Sequence, residues 1–173
     1  MQKLSIEALG RKTVEEYKKI VKLPIVVVLD NIRSMHNVGS IFRTADAFLI
    51  QGIYLCGLTP QPPHRDIHKT ALGATETVSW KYYSTTLKAI QYLKQQHYTI
   101  CAVEQTTKSI ALQNFAFSKK PIALIFGNEV HGVGADILPL CHAAIEIPQY
   151  GTKHSLNVSI TSGIVLWQMI NSL

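Results

Sequence analysis

The sequence predicts an α/β fold with a mainly parallel sheet flanked by helices. Two runs, Ile25 to Asp30 and Ile122 to Phe126, are almost wholly apolar, the pattern of strands that are buried on both faces. Strand candidates alternate with segments of helical periodicity along the chain, and this alternation is typical of parallel α/β sheets. Because 47% of the 173 residues are hydrophobic, the chain is expected to form one domain with a substantial core.

The first 23 residues are predicted to form a helical extension that precedes a domain spanning residues 24–173. Thr13 followed by Glu16 is a capping-box pattern, which predicts the start of a helix. Pro24 separates this extension from the first buried strand. The extension is basic and could contact RNA, although a solvated helix face is the more ordinary explanation, and it is too short to form a separate RNA-binding domain.

The segment after the first strand has apolar residues at helical spacing from Val38 to Phe48, and Asn37 is a natural N-cap for this helix. A second amphipathic helix is predicted from Ser84 or Thr85 to Gln96, with Leu87, Ile90 and Leu93 facing inward. Further strands are predicted at Ile53 to Cys56, Val78 to Tyr83, Tyr98 to Val103 and Ala143 to Ile147. The last two helices are predicted at Ala135 to Cys141 and at Leu156 to Leu173, the latter capped by Ser155. Ser109 to Phe117 remains ambiguous.

Three loops follow three apolar strands, and they are the candidate site. They run from Asn31 to Arg43, from Gly127 to Gly134 and from Pro148 to Asn157. The carboxyl ends of parallel strands lie on one side of a sheet, so these loops are expected to meet in one cleft.

Several chemistries are poorly supported by the motifs. The glycines of GNEVHGVG follow neither the dinucleotide pattern nor the P-loop pattern, and no nucleophile elbow occurs. His64 and His68 are four residues apart, but no third ligand pattern follows, so no metal is expected. Three cysteines without close spacing indicate buried free thiols in a reducing compartment. Since no signal core or membrane-spanning run is present, a cytoplasmic protein with no membrane association is expected.

The charge balance favours a polyanionic partner. The formal net charge is +6 and the pI is about 9.3, and nucleic acid is the first candidate for a compact basic domain. A mildly basic surface that serves solubility explains the same charge equally well.

Three stretches, NIRSMHNVGSIFRTADAF, IFGNEVHGV and IPQYGTKHSLNVS, occur in this order between residues 25 and 170. Together they resemble the three ordered motifs of the SpoU/TrmH family of SPOUT methyltransferases, and the linking stretch PPHRDIHKTALGATETV resembles the family's equivalent region. The resemblance implies S-adenosyl-L-methionine-dependent methylation of a ribose 2′-hydroxyl in tRNA or rRNA. It also implies a homodimer and a C-terminal deep trefoil knot, an exception to the rule against knots.

By motif position, the resemblance implies roles for particular residues. The implied catalytic residues come from all three motifs: Arg43, Asn37, Glu129, Ser155 and Asn157. The implied cofactor-binding residues belong to the second and third loops: Phe126, Gly127, Asn128, Gly132, Ile147, Pro148, Ser155 and Leu156. Basic residues near the expected mouth of the cleft are candidates for RNA binding: Arg33, His36, Arg65, His68, Lys69 and Lys153. Val130 and His131 depart from the small or acidic residues common in similar proteins, which leaves the role of His131 open.

Taken singly, each site residue has an ordinary structural explanation. Arg43 could pair with Asp46 three residues later, and Asn37, Ser155 and Asn157 could be helix caps alone. Glu129 could cap a turn, or it could orient Arg43 or Asn37. Arginine is normally always protonated, so Arg43 is expected to orient the ribose and stabilise alkoxide character, while a role as base assisted by an RNA phosphate stays open.

Two alternatives to ribose methylation remain. One is a non-catalytic RNA-binding protein that keeps the knotted fold, and the other is a knotted methyltransferase that acts on a base nitrogen. The first is disfavoured by the retention of the motif residues, and the second by the arginine in the first motif. Apolar residues lie widely around the last helix, including Trp167, which suits packing against a second subunit, although a simple core helix explains them too.

Overall fold

Parallel strands form one sheet at the centre of the computed structural model, which describes residues 1–5 and 7–172. Within those residues the sheet has seven strands in the order β3-β2-β1-β6-β4-β7-β5, and every neighbouring pair is parallel. The strand bounds are β1 Leu23–Asp30, β2 Ile50–Cys56, β3 Trp80–Tyr83, β4 Thr99–Val103, β5 Ile110–Ala111, β6 Ile122–Phe126 and β7 Ala143–Glu146. The predicted α/β class with a parallel sheet is therefore confirmed.

Helices lie on both sides of this sheet. Their bounds are α1 Val14–Lys19, α2 Met35–Ala47, α3 Arg65–Ala71, α4 Ala74–Thr77, α5 Thr86–Gln95 and α6 Val158–Asn171. The predicted capping box at the start of α1 is present, because the Glu16 amide donates to Thr13 Oγ1 and the Thr13 amide donates to Glu16 Oε2. None of these helices has the length and apolar character needed to cross a bilayer, as far as the described residues extend.

The two central strands carry the core. Every residue of β6 is buried, as are the residues of β1 from Ile25 onward, which confirms the prediction of strands covered on both faces. Side chains alternate between the faces, so Val27 packs into the cluster beneath α2 and α6, while Val28 packs into the cluster beneath α5.

Two of the three cysteines are buried free thiols, as predicted, and the third is half-buried. Burial raises the pKa of Cys56 and of Cys101 to about 12. Both thiols therefore stay protonated near neutral pH and are poor nucleophiles.

Two predicted helix caps are wrong. Helix α2 begins earlier than predicted, because Ser34 is its N-cap and accepts a hydrogen bond from the amide of Asn37, which already lies in the first turn. Helix α6 begins later than predicted, because Asn157 caps it by accepting from the amide of Ser159. Ser155 lies two residues before this cap.

Two predictions about helix extent and orientation also fail. Between Ala135 and Cys141 the structure has only a short 3-10 turn, Leu138–Leu140, within which Pro139 lacks the amide that a longer helix would use. In α5 the buried residues are Thr86, Ala89, Ile90 and Leu93, at the spacing of a single helix face. Leu87 falls outside that face and is exposed.

Candidate functional site

A cavity of about 770 Å³ opens at the carboxyl edge of the sheet. Its walls come from the segments that follow β4, β6 and β7 and from the first turn of α6. Most residues predicted for the cofactor and the chemistry line it: Phe126, Gly127, Asn128, Glu129, Gly132, Ile147, Ser155, Leu156 and Asn157. Pro148, Asn37 and Arg43 are not part of the wall, although Asn37 is bonded to it.

The loop after β6 uses its own amides internally. Asn128 Oδ1 accepts from the amides of Val130 and His131 at 2.9 and 3.2 Å, and the backbone of Asn128 exchanges two 2.9 Å hydrogen bonds with Gly132. The next two amides bind carboxylates from elsewhere in the chain, one on the segment after β4 and one at the end of β1. Val133 donates to Glu104 Oε2 and Gly134 donates to Asp30 Oδ2, each at 2.9 Å. Five consecutive N–H groups, from residue 130 to residue 134, are therefore already occupied.

Two glycines let this loop fold tightly. A Cβ on Gly127 would lie 2.0 Å from the carbonyl carbon of Gly132 and the nitrogen of Val133. Gly132 has a φ of +66°, and a Cβ there would lie 2.2 Å from Glu104 Oε2. Any side chain at either position would collide with its neighbours, so both glycines are structural requirements of the cavity wall.

Glu129 joins the second loop to the first. Its carboxylate accepts from the amides of Arg33 and Ser34 and from Asn37 Nδ2, at 3.1 to 3.2 Å. Burial opposes ionisation of Glu129, but hydrogen bonds from its own amide and from these three donors outweigh burial and lower its pKa. The charged carboxylate thus lies at the N-terminus of α2, where the helix dipole favours it.

Asn37 joins the first loop to the third. Asn157 Nδ2 donates to Asn37 Oδ1 at 3.1 Å, while Asn37 Nδ2 donates to Glu129. A chain of side-chain hydrogen bonds therefore connects the start of α6, the start of α2 and the loop after β6. This confirms that the three predicted loops meet at the carboxyl edge of the sheet. Of the two partners that the sequence allowed for Glu129, Asn37 is the one that it contacts.

Arg43 lies on α2 six residues beyond Asn37, and its side chain is exposed. No ion pair joins it to Asp46, whose carboxylate instead accepts from Thr77 Oγ1. A salt bridge to Asp46 therefore does not account for the presence of an arginine at position 43. Arg43 is an exposed residue of the helix that Asn37 joins to the cavity wall.

The predicted RNA-binding residues are all exposed, and most of them lie along α2 and α3. These helices pack closely because Gly39 leaves room for Thr70, whose hydroxyl donates to the carbonyl oxygen of His36 at 3.0 Å. Arg33 and His36 lie at the start of α2, and Arg65, His68 and Lys69 lie on α3. Lys153 is separate from them, on the loop after β7.

The residues after β4 are part of the site that the motifs did not predict. Val103, Glu104 and Gln105 line the cavity, and Gln105 Nε2 donates to the carbonyl oxygen of His154 at 3.3 Å. They follow directly on the predicted strand that ends at Val103. The rule that loops at strand ends meet in parallel sheets would therefore have found them.

The chemistry of the walls favours a ligand that is cationic or rich in hydrogen-bond donors. Three carboxylate residues, Glu104, Glu129 and Glu146, line the cavity, and among its described lining residues there is no lysine or arginine. The amides after Glu129 are occupied, so this loop offers carbonyl oxygens more readily than N–H groups. Apolar residues such as Val133, Leu138 and Ile145 supply the remaining surface, as is usual for small-molecule sites.

Comparison with known proteins gives a consistent family. The model of the SpoU rRNA Methylase family matches residues 24–167. Over 158 residues the chain is 28% identical to a tRNA (guanosine(18)-2′-O)-methyltransferase of Thermus thermophilus, covering 91% of this chain and 80% of that enzyme. It is also 28% identical over 148 residues to the 23S rRNA (guanosine-2′-O-)-methyltransferase RlmB of Ralstonia nicotianae, covering 85% of this chain and 58% of that one.

Solved structures share the fold. An AdoMet-bound rRNA methyltransferase from Sinorhizobium meliloti superposes with a TM-score of 0.82 at 28% identity, over 91% of this chain and 60% of that one. The TrmH/SpoU tRNA modifying enzyme of A. aeolicus gives a TM-score of 0.81 at 25% identity, over 92% and 80%. The chain thus spans four fifths of some relatives and about three fifths of others.

Proposed function

Because the chain belongs to the SpoU rRNA methylase family, we propose that it is an S-adenosylmethionine-dependent methyltransferase acting on a ribose 2′-hydroxyl of tRNA or rRNA. The observation that carries this proposal is the cavity between the second and third family motifs, which Asn37 joins to the first motif and whose walls favour a cationic, donor-rich ligand. The names of the relatives support the same reaction on tRNA and on rRNA.

S-adenosylmethionine fits the cavity in size and chemistry. About 770 Å³ lies within the range of roughly 300–1,000 Å³ that is common for small-molecule sites. The ligand's amino groups and ribose hydroxyls are donors, and its sulfonium is a cation, so carbonyl oxygens and carboxylates are suitable partners. The residues that would hold it are Phe126, Gly127, Asn128, Gly132, Ile147, Ser155 and Leu156, with Pro148 shaping the same loop.

When bound, S-adenosylmethionine supplies a methyl group on a sulfur that is already a good leaving group, so much of the protein's task is positioning. Arg43 would act on the ribose hydroxyl. As a permanent cation it would orient this hydroxyl and stabilise negative charge that develops on its oxygen. Action of Arg43 as a base, with help from an RNA phosphate, is the other role consistent with its exposed position.

The remaining residues of the proposed catalytic set hold the geometry. Asn37, Glu129 and Asn157 form the hydrogen-bonded chain that fixes the start of α2 against the two loops of the cavity. Since Arg43 lies on the same helix, this chain sets where its guanidinium can reach. Ser155 lines the cavity on the third loop and would touch the cofactor or the ribose.

RNA would approach over α2 and α3. The exposed basic groups on this surface and on the third loop suit contacts to phosphates: Arg33, His36, Arg65, His68, Lys69 and Lys153. Lys69 already pairs with Asp66 at 2.7 Å, so its charge is partly offset. An enzyme with such substrates and with free thiols would work in the cytosol.

A homodimer would cover the exposed apolar face of α6. Ile160, Ile164 and Trp167 are 56%, 38% and 59% exposed and lie at the i, i+4 and i+7 spacing of one helix face. Trp167 packs against Phe48 with the ring centroids 6.0 Å apart and the planes tilted by 43°, which extends the apolar surface to the end of α2. Burial of this surface in a second copy would remove it from water.

A deep trefoil knot would account for the path of the third loop and of α6. The chain after β7 crosses the cavity, bonds to Gln105 and Asn37, and returns to pack Val165 and Leu166 beneath α2. A crystal structure in which α6 does not pass through the loop formed by earlier residues would contradict the knot.

Calorimetric titration with S-adenosylhomocysteine, the product of the cofactor, tests the proposed function. We expect one site per chain. No binding by a protein shown to be folded would count against a methyltransferase and favour the non-catalytic RNA-binding alternative.

A further inference from the structure

We propose that Glu104 is a positioning residue for the cofactor, which holds the peptide between Gly132 and Val133 in the shape that the ligand requires. The inference rests on the proposed function, since it names what sets affinity at the same cavity. Glu104 lies outside the three motifs, on the segment that follows β4.

The contacts of Glu104 identify it as a clamp. Its Oε2 accepts from the amide of Val133 at 2.9 Å, and its Oε1 accepts from the amide of Gln105 at 2.8 Å. Its own amide donates to the carbonyl oxygen of Ile145 at 2.9 Å, which ties the residue to β7. Both carboxylate oxygens thus accept from backbone amides, one of the next residue in the chain and one in the loop after β6.

Gly132 is shaped to receive this carboxylate. Its φ of +66° turns the peptide toward Glu104, and the absence of a Cβ leaves room for Oε2. The approach is too close for any other residue. The missing side chain of Gly132 therefore allows Glu104 to approach the loop, and this approach in turn requires a glycine at position 132.

The clamp lies in the cavity wall, where it can affect how tightly a ligand binds. The amides of residues 130–132 donate to Asn128 within the loop. The last part of the loop is held mainly by Glu104, which binds the Val133 amide, and by Asp30, which binds the Gly134 amide. Glu104, Gly132 and Val133 all line the cavity. Without the clamp the Val133 amide would need another acceptor, the peptide could rotate, and binding would have to restore its orientation at a cost in affinity.

The variant Glu104→Gln tests the clamp with little change in size. Glutamine has one acceptor oxygen, so one of the two backbone amides would face an NH₂ group. We expect affinity for S-adenosylhomocysteine, measured by calorimetry, to fall about tenfold. Affinity for S-adenosylmethionine should fall by the same factor, because a clamp acts on both ligands alike. A loss confined to the charged S-adenosylmethionine would overturn positioning and indicate a direct charge contact.

Glu16→Gln is the matched control. Glu16 also accepts a backbone amide, at the start of α1 and remote from the cavity, so this variant should bind both ligands as the wild type does. Amide hydrogen exchange at Val133 and at Gln105, measured without ligand, gives a second readout. Exchange of at least one of these two amides should be faster in Glu104→Gln than in the wild type, while the thermal transition remains cooperative; unchanged exchange at both amides would overturn the clamp.

Coupling to Gly132 completes the test. If Glu104 acts through the Gly132–Val133 peptide, the variant Gly132→Ala should weaken binding by itself, and adding Glu104→Gln to it should cost little more. Independent, multiplying losses would overturn the proposed route. A wild-type protein that binds neither compound would overturn the proposed function as well, whereas equal binding by wild type and Glu104→Gln would overturn the role of Glu104 alone.

Discussion

Arg43 is the residue on which the proposed chemistry depends, and it stands apart from the cavity that would hold the cofactor. This separation allows the two functions to be tested independently. In Arg43→Ala we expect RNA methylation to fall at least about 100-fold, the scale of losing one charge-stabilising group. Affinity for S-adenosylhomocysteine should stay within about twofold, since no wall of the cavity changes.

Radiolabelled methyl transfer to bulk tRNA and rRNA would measure the activity, and calorimetry the binding. Arg11→Ala, which removes an exposed arginine from the N-terminal extension, is the matched control and should keep full activity. Full activity of Arg43→Ala itself would remove Arg43 from the chemistry.

At the level of residues, most positions chosen from the motifs line the cavity, whereas two of the predicted helix caps are wrong. Ser155 and Asn37 were each expected to cap a helix, yet Asn157 and Ser34 do so. Serine and asparagine are almost equally good caps, so sequence alone does not choose between candidates two or three residues apart. The position of Glu104 follows from the strand-end rule, but its role does not, because its partner, the Val133 amide, is 29 residues away in sequence.

Helix α6 provides a test at the scale of one element. Asn157 caps the helix and also bonds to Asn37, whereas Ser155 does neither. We expect Asn157→Ala to lower the free energy of unfolding by about 1 kcal/mol. Ser155→Ala should leave it nearly unchanged. Urea titrations of the two variants, followed by circular dichroism, make the comparison; equal effects would contradict the assignment of the cap.

Elements with a strong pattern were predicted closely, and elements shaped by their surroundings were not. The predicted bounds of β6, Ile122 to Phe126, agree with the structure, because a continuous apolar run by itself indicates a strand that is buried on both faces. The segment from Ala135 to Cys141 is apolar enough for a helix, but Gly134 accepts from the amides of both Ile137 and Leu138 and begins a tight turn. Strand β5 has only two residues and depends on pairing with β7.

For the whole molecule, the exposed face of α6 predicts assembly. A charge within an apolar interface is costly, so Trp167→Glu should convert the expected dimer to a monomer in light scattering at micromolar concentration. Leu87→Glu places the same charge on α5, at an exposed apolar residue outside the α6 face, and should leave the dimer intact. A wild-type protein that is monomeric at this concentration would contradict the assembly itself.

The order of the strands lies beyond what the sequence pattern could provide. Parallel pairing was predicted, but β6 lies between β1 and β4, and β7 lies between β4 and β5. Buried strands of similar composition can exchange places without changing their own patterns. The order depends on contacts between residues far apart in the chain, and Asp30 is an example, since it accepts from Thr86 and from the amide of Gly134.

The occupied amides of the loop after β6 have a consequence for competition inside a cell. ATP carries the same adenosine as the proposed cofactor, and proteins that bind it commonly cradle its phosphates with free loop amides. Here the amides of residues 130–134 already have acceptors, and Glu104, Glu129 and Glu146 add negative charge to the walls of the cavity. Because this loop offers no free amides to phosphates, we expect ATP to compete poorly with the proposed cofactor for the cavity, even where ATP is the more concentrated of the two.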